Sequence, residues 1–215
     1  MLKALIVANG ELELPPQWES MRDEFDLILA ADGGSRHLSA LGLNADLIVG
    51  DMDSVAAEDR PDLENSAAKW IQYPTEKDQT DLELALFELQ GRGVQEVTVL
   101  AGLGRRWDHS LANILLATLP ELESVQIAFW QGSQRLFLLQ KEEILDEIIG
   151  SRMSLIPLGA EVQAVQTSGL EFELKRETLS LGSSRGISNV VINEEQKITH
   201  SAGLLLCILS PGDFN

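Results

Sequence analysis

Residues 27–51 read LILAADGGSRHLSALGLNADLIVGD. The stretch holds two apolar runs of strand length, at 27–31 and 47–49. Between them, residues 35–41 carry apolar side chains at the three- and four-residue spacing of a helix. Because a strand, a helix and a second strand follow one another, the two strands are predicted to pair in parallel.

The same alternation continues on both sides of this stretch. It predicts an α/β domain over residues 1–140, with a doubly wound, mostly parallel sheet. In such sheets ligands bind beyond the carboxyl ends of the strands, so the loops that follow the strands are the places to look for a site. The further predicted strands are 2–8, 69–72, 96–101 and 125–130, and the further predicted helices are 81–89 and 107–119.

From residue 151 onward the pattern changes to short, often alternating apolar runs separated by turn residues. This pattern predicts a small antiparallel β-sandwich domain over residues 141–215, with a barrel as the alternative. The charged segment 141–147 joins the two domains, and a short helix there is left open. The predicted strands of the second domain are 153–157, 162–167, 170–174, 189–193, 197–201 and 204–209.

The composition argues against several classes of partner. The formal net charge is −18, with 16 Lys and Arg against 34 Asp and Glu, and 27 of these acids lie in the first 150 residues. A nucleic-acid or anionic membrane surface requires clustered cations, so neither partner is expected. The one cysteine, Cys207, allows no intrachain disulfide and is expected to be buried. No signal peptide or spanning segment is recognisable, which favours the cytoplasm.

Two predicted strand ends carry aspartates and glycines. The first strand of the opening stretch runs into Asp32-Gly33-Gly34, which suits a phosphate at a helix N-terminus or simply a tight turn. The second runs into Gly50-Asp51-Met52-Asp53-Ser54. Because side chains at positions i and i+2 of an extended segment share a face, Asp51 and Asp53 can both reach one Mg²⁺. Two solvated turn aspartates are the alternative.

A third loop contains Lys77, Asp78, Thr80 and Asp81. Thr80 and Glu83 form a capping box, and Asp81 suits the positive end of the helix dipole, so these three residues have a purely structural explanation. That explanation leaves Lys77 and Asp78 unaccounted for. A lysine suits a phosphate, and either Asp78 or Asp81 could complete a metal site begun by the aspartates at 51 and 53.

The fourth strand end is Gly102-Leu103-Gly104-Arg105-Arg106-Trp107-Asp108-His109. It joins glycines, two arginines and an aspartate at the start of a helix. Binding of an anion is the functional interpretation, and a solvated basic patch is the alternative. His109 is equally compatible with a place in the core.

Taken in order, these four motifs resemble the thiamine pyrophosphokinase family. The segment Gly182-Ser-Ser-Arg-Gly-Ile-Ser-Asn189 is similar to the C-terminal domain of that family. Arg105 departs from the pattern, since a second glycine is expected there. The resemblance implies transfer of a diphosphoryl group from ATP to the hydroxyl of thiamine, giving AMP and thiamine diphosphate, in a homodimer whose active sites lie at the subunit interface.

The resemblance also implies roles for individual residues. Mg²⁺ would be held by Asp51, Asp53 and Asp81, with Asp32 and Asp78 close by. ATP would be surrounded by Asp32, Gly33, Gly34, Lys77, Thr80, Arg106, Asp108 and His109. Thiamine would contact Ser188 and Asn189. The catalytic set would be Asp51, Asp53, Lys77, Asp78 and Asp81.

Two other functions are kept as alternatives. One is a different diphosphokinase on the same scaffold, such as one acting on a hydroxymethyl pterin. The other is a module that binds a nucleotide or a cation and catalyses no reaction.

In the diphosphoryl transfer that the resemblance implies, a carboxylate, Asp78 or Asp108, could accept the proton of the attacking hydroxyl.

Overall fold

The structure is a computed structural model, and it describes residues 1–51, 68–74 and 76–212. It divides into two compact units, Met1–Gly132 and Ser133–Asn215. The domain boundary predicted between residues 140 and 141 falls inside the second of these units. No helix within the described ranges is both long and apolar enough to cross a membrane.

The described part of the first unit consists of parallel strands and short to medium helices. The strands are β1 (Lys3–Val7), β2 (Leu27–Ala31), β3 (Leu47–Gly50), β4 (Lys69–Gln72), β5 (Glu96–Leu100) and β6 (Gln126–Gln131). The α-helices are α1 (Trp18–Met21), α2 (Leu38–Leu41), α3 (Asp81–Gly91) and α4 (Trp107–Leu116), and 3₁₀ segments occur at Arg22–Glu24, Asp32–His37 and Pro120–Leu122.

These strands pair in the order β6-β5-β1-β2-β3-β4, and every pair is parallel. The central strand β1 is apolar, and its residues 4–7 are fully buried, as expected for a strand covered on both faces. The chain runs from β1 to β4 in one direction and then returns to the other side of β1 for β5. The strand order therefore reverses between β1 and β5, where open α/β sheets bind their ligands. The predicted α/β class is confirmed.

The predicted helix over 35–41 is only partly correct. Residues 32–37 form a 3₁₀ segment, and the α-helix covers Leu38–Leu41 alone. The short helix stops at Gly42, whose φ of 65° lies in the left-handed region that favours glycine. In contrast, α3 begins where predicted, because Thr80 caps it by accepting a hydrogen bond from the Glu83 backbone N–H at 3.2 Å.

The second unit is formed by two antiparallel sheets with apolar inner faces, in agreement with the predicted β domain. One sheet has the order β12-β9-β14-β7 and the other β11-β10-β13-β8. Val162, Ile198 and Cys207 are completely buried. The strands are β7 (Gln134–Leu138), β8 (Glu142–Leu145), β9 (Arg152–Pro157), β10 (Glu161–Ser168), β11 (Lys175–Ser180), β12 (Asn189–Val190), β13 (Gln196–Thr199) and β14 (Leu205–Ser210).

Some elements of this unit differ from the expectations. For the segment 141–147, where a short helix was an open possibility, the structure has strand β8, which pairs with β13. Residues 170–174 make an isolated bridge at Leu170 and no strand. The neighbouring strand β11 was not predicted, since its sequence Lys-Arg-Glu-Thr-Leu-Ser is mostly polar and exposed, as suits the edge of a sheet.

Candidate active site

A cavity of about 650 Å³ lies at the carboxyl ends of β1, β2 and β5, where the strand order reverses. Its walls come from the loops that follow these strands and from the first residues of α3 and α4. Its charged lining residues are Glu11, Asp32, Asp81, Arg36, Arg105 and Arg106. The cavity therefore presents both carboxylates, which suit a metal ion, and guanidinium groups, which suit phosphate.

Asp32 directly follows β2 and lines the cavity. Its φ is 52°, a left-handed conformation that is uncommon for any residue except glycine and occurs often at functional sites. One carboxylate oxygen, Oδ2, accepts a hydrogen bond from Asn9 Nδ2 at 3.2 Å. The other, Oδ1, is buried and has no hydrogen-bond partner among the residues that the structure describes. An unsatisfied buried carboxylate oxygen is costly, so this atom is a candidate ligand for a cation.

Gly33 and Gly34, predicted to surround ATP, are buried. A Cβ atom on Gly34 would lie only 2.0 Å from the carbonyl oxygen of Val7, and one on Gly33 would meet the Asn9 side chain at 2.6 Å. The two glycines thus permit a close approach between β1 and the turn after β2. This packing supports the tight-turn interpretation of the glycine pair, and the predicted contact with ATP stays a prediction.

The loop after β1 is a part of the cavity that the sequence alone did not indicate. Asn9 and Gly10 line it, and Arg36 Nη2 donates to both of their carbonyl oxygens, at 2.9 and 3.3 Å. His37 Nε2 lies 3.0 Å from the same Gly10 oxygen. The available signal was that Asn9 and Gly10 follow a predicted strand, as the other site motifs do.

The pKa of His37 is lowered from its ordinary value of 6.5, chiefly by burial and also by the charge of Arg36, although the hydrogen bond to Gly10 opposes the shift. At this residue the unfolded chain therefore binds more protons than the folded chain near and below pH 6.5, so the contribution of His37 to stability falls as the pH falls. We expect the thermal midpoint to be lower at about pH 5.5 than at about pH 7.5, and we expect this difference to be smaller in His37→Gln. Calorimetry at both pH values measures this difference; equal falls in the two proteins would contradict the prediction.

Asp51 immediately follows β3 and is half-buried. The preceding residue, Gly50, packs against Asp32, because a Cβ there would lie 3.1 Å from the Asp32 Cα. The carboxyl ends of β2 and β3 therefore bring Asp51 near the Asp32 side of the site. Asp53, the third predicted strand-end aspartate, lies outside the described residues.

Lys77 and Asp81 form an ion pair at the start of α3, with Lys77 Nζ 2.7 Å from Asp81 Oδ1. Both side chains are largely shielded from solvent, at 13% and 24% exposed. Thr80 and Asp81 line the cavity, which brings two of the predicted residues directly to the site. Asp78 is exposed.

The loop between β5 and α4 is held by side chains of the helix that follows it. Ser110 Oγ accepts from Gly104 N at 3.1 Å and lies 3.2 Å from Gly104 O, to which it can donate. Asn113 Nδ2 donates to Gly102 O at 2.6 Å. Ala101, at the start of the loop, has a left-handed φ of 54°. The loop is therefore a fixed wall of the cavity, built partly by two residues, Ser110 and Asn113, that were not predicted.

Arg106 and His109 both line the cavity, and their predicted contact with ATP stays a prediction. Arg106 Nη2 donates to Asp108 Oδ2 at 2.6 Å, and this hydrogen bond is the main reason that the pKa of Asp108 is lowered. Arg105 Nε lies 3.5 Å from Glu11 Oε2, so the arginine at the unexpected position links two of the cavity loops.

The second unit has a cavity of its own, of about 410 Å³, on the loop 183–187. Asn189 lines it, but the amide is engaged internally: Oδ1 accepts from Phe172 N at 3.0 Å and Nδ2 donates to Phe172 O at 2.8 Å. Asn189 thus holds the backbone of Phe172, whose exposed ring also lines the cavity. The Ser188 backbone N–H donates to Ser154 Oγ at 2.9 Å.

Comparison with known proteins decides the family. The model for the thiamin pyrophosphokinase catalytic domain matches residues 18–129, more than half of the chain, and the model for the thiamin pyrophosphokinase vitamin B1 binding domain matches residues 141–205. The chain belongs to the thiamine pyrophosphokinase family. The predicted family and enzyme activity are thereby confirmed, and the two alternative functions are not favoured.

Individual members of this family are similar to this chain over nearly its full length. Thiamine pyrophosphokinase of Bacillus subtilis is 28% identical over 207 residues, covering 95% of this chain and 97% of that protein. Thiamine pyrophosphokinase 1 of Oryza sativa is 28% identical over 233 residues, covering 95% and 86%. The crystal structure of the Bacillus subtilis enzyme superposes with a TM-score of 0.86 at 26% identity, covering 97% of this chain and 99% of that one.

The carboxylate oxygens that line the cavity fit Mg²⁺. Among the residues that the structure describes, no three His, Cys, Asp or Glu side chains are grouped closely enough to hold a metal ion by themselves. Mg²⁺ usually takes one or two carboxylates and completes its shell with water and substrate phosphates. Asp32 Oδ1 is a buried acceptor without a partner in the described ranges, and Asp81 faces the same cavity. These oxygens are the hard ligands that Mg²⁺ prefers.

Proposed function

We propose that the cavity at the ends of β1, β2 and β5 binds Mg²⁺ and ATP, and that this enzyme transfers the diphosphoryl group of ATP to thiamine there. The observation that carries the proposal is the coincidence of a cavity, carboxylates and arginines at the point where the strand order reverses. Residues 18–129, which match the catalytic-domain model, include most of the residues that line the cavity.

The residues proposed to bind ATP include two cations for the phosphates and several polar groups at the cavity wall. Arg106 and Lys77 supply positive charge for the phosphates, and both are already oriented by ion pairs, with Asp108 and Asp81. Thr80 and His109 supply polar groups at the cavity wall, together with Asp32 and the turn at Gly33 and Gly34. Positioning and charge neutralisation are the main protein contributions to phosphoryl transfer.

Asp51, Asp53 and Asp81 are proposed to hold Mg²⁺, with Asp32 beside them. When bound, Mg²⁺ neutralises negative charge on the phosphate oxygens. The Lys77 ammonium fixes the direction of the Asp81 carboxylate, because the two groups are only 2.7 Å apart. Asp81 therefore serves in this proposal both at the start of α3 and in the metal site.

The proposed reaction forms one bond and breaks one. The thiamine hydroxyl oxygen attacks the β-phosphorus of ATP, and the bond from that phosphorus to the oxygen bridging the α- and β-phosphates breaks, which releases AMP. The hydroxyl proton passes to a carboxylate, Asp78 or Asp108. Arg106 lowers the pKa of Asp108, which makes Asp108 a weaker base than an ordinary aspartate.

The second-unit cavity is the proposed thiamine site, with Ser188 and Asn189 as its predicted residues. Because the Asn189 amide is bonded to the Phe172 backbone, we propose that Asn189 acts by holding Phe172 in place. The Phe172 ring is 58% exposed at the cavity wall, where it can stack on a cationic aromatic ligand such as thiamine.

Phe172→Ala is expected to raise the KM for thiamine about tenfold and to leave the KM for ATP unchanged, since stacking on an aromatic face contributes about 0.5–2 kcal/mol. Phe172→Trp keeps an aromatic face and serves as the matched control. Steady-state kinetics with each substrate varied in turn measures both constants. An unchanged thiamine KM in Phe172→Ala would remove this residue from the proposed site.

The homodimer implied by the family resemblance has a candidate surface on α4. Trp107, Leu111 and Leu115 are all exposed and are spaced four residues apart, so they form an apolar stripe along one face of this helix. Other α4 residues, His109 and Asn113, line the cavity. We propose that a second copy of this chain covers the stripe, next to the active site.

Light scattering of the wild type is expected to give the mass of a dimer, and Leu111→Glu is expected to give a monomer with much lower activity. The physical reason is that a buried unpaired carboxylate opposes association. Glu121→Gln, at an exposed position of the 3₁₀ segment Pro120–Leu122 outside the stripe, is the control. A fully active wild-type monomer would contradict the proposal.

We also propose that the enzyme acts in the cytoplasm. Its proposed partners are the small molecules ATP and thiamine, and neither a nucleic acid nor a membrane is expected to bind it. The single cysteine supports a reducing compartment, because an intrachain disulfide is impossible. Burial raises the pKa of the Cys207 thiol, as suits an inert core residue.

The overall function is tested by product identity. The wild-type protein is incubated with ATP, Mg²⁺ and thiamine, and the products are separated by chromatography. AMP and thiamine diphosphate in equal amounts are expected. ADP, or ATP consumption without thiamine diphosphate, would contradict the proposal. A hydroxymethyl pterin tested in parallel is expected to give no product.

A further inference from the structure

Arg36 is a charged residue of the ATP cavity that none of the site motifs included. It lies in the 3₁₀ segment that follows β2, on the same turn as Asp32, and it is exposed to the cavity that it lines. Its guanidinium group is held in place, because Nη2 donates to the carbonyl oxygens of Asn9 and Gly10. It is therefore a rigidly placed cation at the carboxyl ends of β1 and β2.

The partners of Arg36 distinguish it from the other two arginines of the cavity. Arg105 faces Glu11 and Arg106 is paired with Asp108, so a carboxylate offsets each of those charges. Arg36 donates to neutral carbonyl oxygens, and its Nε lies 3.4 Å from Nε2 of the His37 ring. Within the described ranges, Arg36 forms no ion pair with a carboxylate, and its Nη1 group donates no hydrogen bond.

A fixed guanidinium with unused N–H donors and an uncompensated charge suits one class of ligand, the phosphate chain of a nucleotide. We propose that Arg36 binds the phosphate chain of ATP in this cavity, as a substrate-binding residue in addition to Arg106 and Lys77. This inference rests on the proposed function, since it takes ATP as the occupant. Arg36 thus has two roles: its Nη2 group fixes the loop after β1, and its Nη1 group contacts the phosphates.

The two tasks make different demands on a replacement side chain. Glutamine keeps an N–H donor for the Asn9 carbonyl but removes the charge. Lysine keeps the charge but loses the planar fork. Adenosine has no phosphate, so its affinity reports the state of the cavity wall without the proposed interaction.

Isothermal titration calorimetry with Mg²⁺ and without thiamine measures the binding of ATP and of adenosine at several KCl concentrations. Arg36→Gln is expected to bind ATP about tenfold or more weakly, with a shallower salt dependence, and to bind adenosine as the wild type does. Arg36→Lys is expected to retain most of the ATP affinity. Arg22→Gln is the matched control, because Arg22 also donates to a backbone carbonyl, that of Gly42, but lies outside the cavity.

Two results would overturn the inference. One is an Arg36→Gln variant that binds ATP as tightly as the wild type. The other is an equal loss of ATP and adenosine affinity with an unchanged salt dependence, which would show that Arg36 only supports the loop. A wild-type protein that binds no ATP would instead contradict the proposed function itself.

Discussion

Asp51→Asn is expected to lower turnover by about two orders of magnitude or more, while the thermal midpoint stays close to that of the wild type. Loss of a residue that only orients a metal ligand already costs about 10–100-fold, and Asp51 is proposed as a ligand itself. Asp51 follows the last residue of β3 and is half-buried, so the change to an amide of the same shape should leave the strand intact.

The matched control for this prediction is Asp23→Asn. Asp23 is an exposed carboxylate of the first unit outside the cavity, so it tests whether loss of one negative charge matters in general. Activity is measured by AMP release at saturating ATP and thiamine, and stability by calorimetry. Full activity of Asp51→Asn would contradict the metal assignment; a large fall in its thermal midpoint would mean that Asp51 is needed for folding.

Asp81→Asn is expected to raise the Mg²⁺ concentration needed for half-maximal activity by about tenfold or more. The change removes a charged oxygen from the cavity wall and leaves the Lys77 ammonium without its partner at 2.7 Å. A modest loss of stability, about 1 kcal/mol, is also expected, since Asp81 loses its ion pair with Lys77 and its favourable charge at the positive end of α3.

Glu83→Gln separates the metal role of Asp81 from its helix role. Both residues are acidic and lie in the first turn of α3, but Asp81 lines the cavity and Glu83 does not. If Asp81 acts only through the helix, the two variants will show the same Mg²⁺ dependence. If it also belongs to the metal site, only Asp81→Asn will need more Mg²⁺. Activity titrated against Mg²⁺ at fixed ATP distinguishes these outcomes.

Strand ends were the predictable part of this site. The carboxyl ends of parallel strands meet at one edge of a sheet, and the apolar runs that end at Ala31 and Leu100 locate two of those ends in the sequence. For this reason Asp32 and Arg106, which follow different strands, could both be predicted from the sequence to lie at the same edge of the sheet. The capping box at Thr80 was equally readable, because it depends on residues only three positions apart.

The contacts that hold the cavity together were not predictable. Arg36 reaches the carbonyl of Asn9, which lies 27 residues earlier, and no local pattern encodes such a pairing. Asn189 looked like a residue for contact with thiamine, yet its amide is bonded to the backbone of Phe172, 17 residues away. In both cases the residue type was visible in the sequence, and its hydrogen-bond partner depended on the tertiary fold.

The glycine pair at 33 and 34 illustrates how one motif can carry two meanings. Its sequence suited both a phosphate loop and a tight turn. The structure supplies a physical reason for the second, since Gly34 packs against the Val7 carbonyl with no room for a side chain. The polar side chain that faces the cavity is that of the preceding residue, Asp32, in its left-handed conformation.

The proposed function depends on the binding of Mg²⁺ and ATP in the cavity at the ends of β1, β2 and β5. This binding can be observed in a crystal structure of the protein with Mg²⁺, thiamine and a non-hydrolysable ATP analogue. We expect a triphosphate between Arg36 and Arg106, with Mg²⁺ bound to Asp51 and Asp81. An analogue bound elsewhere, or a cavity filled only by water at saturating analogue, would contradict it.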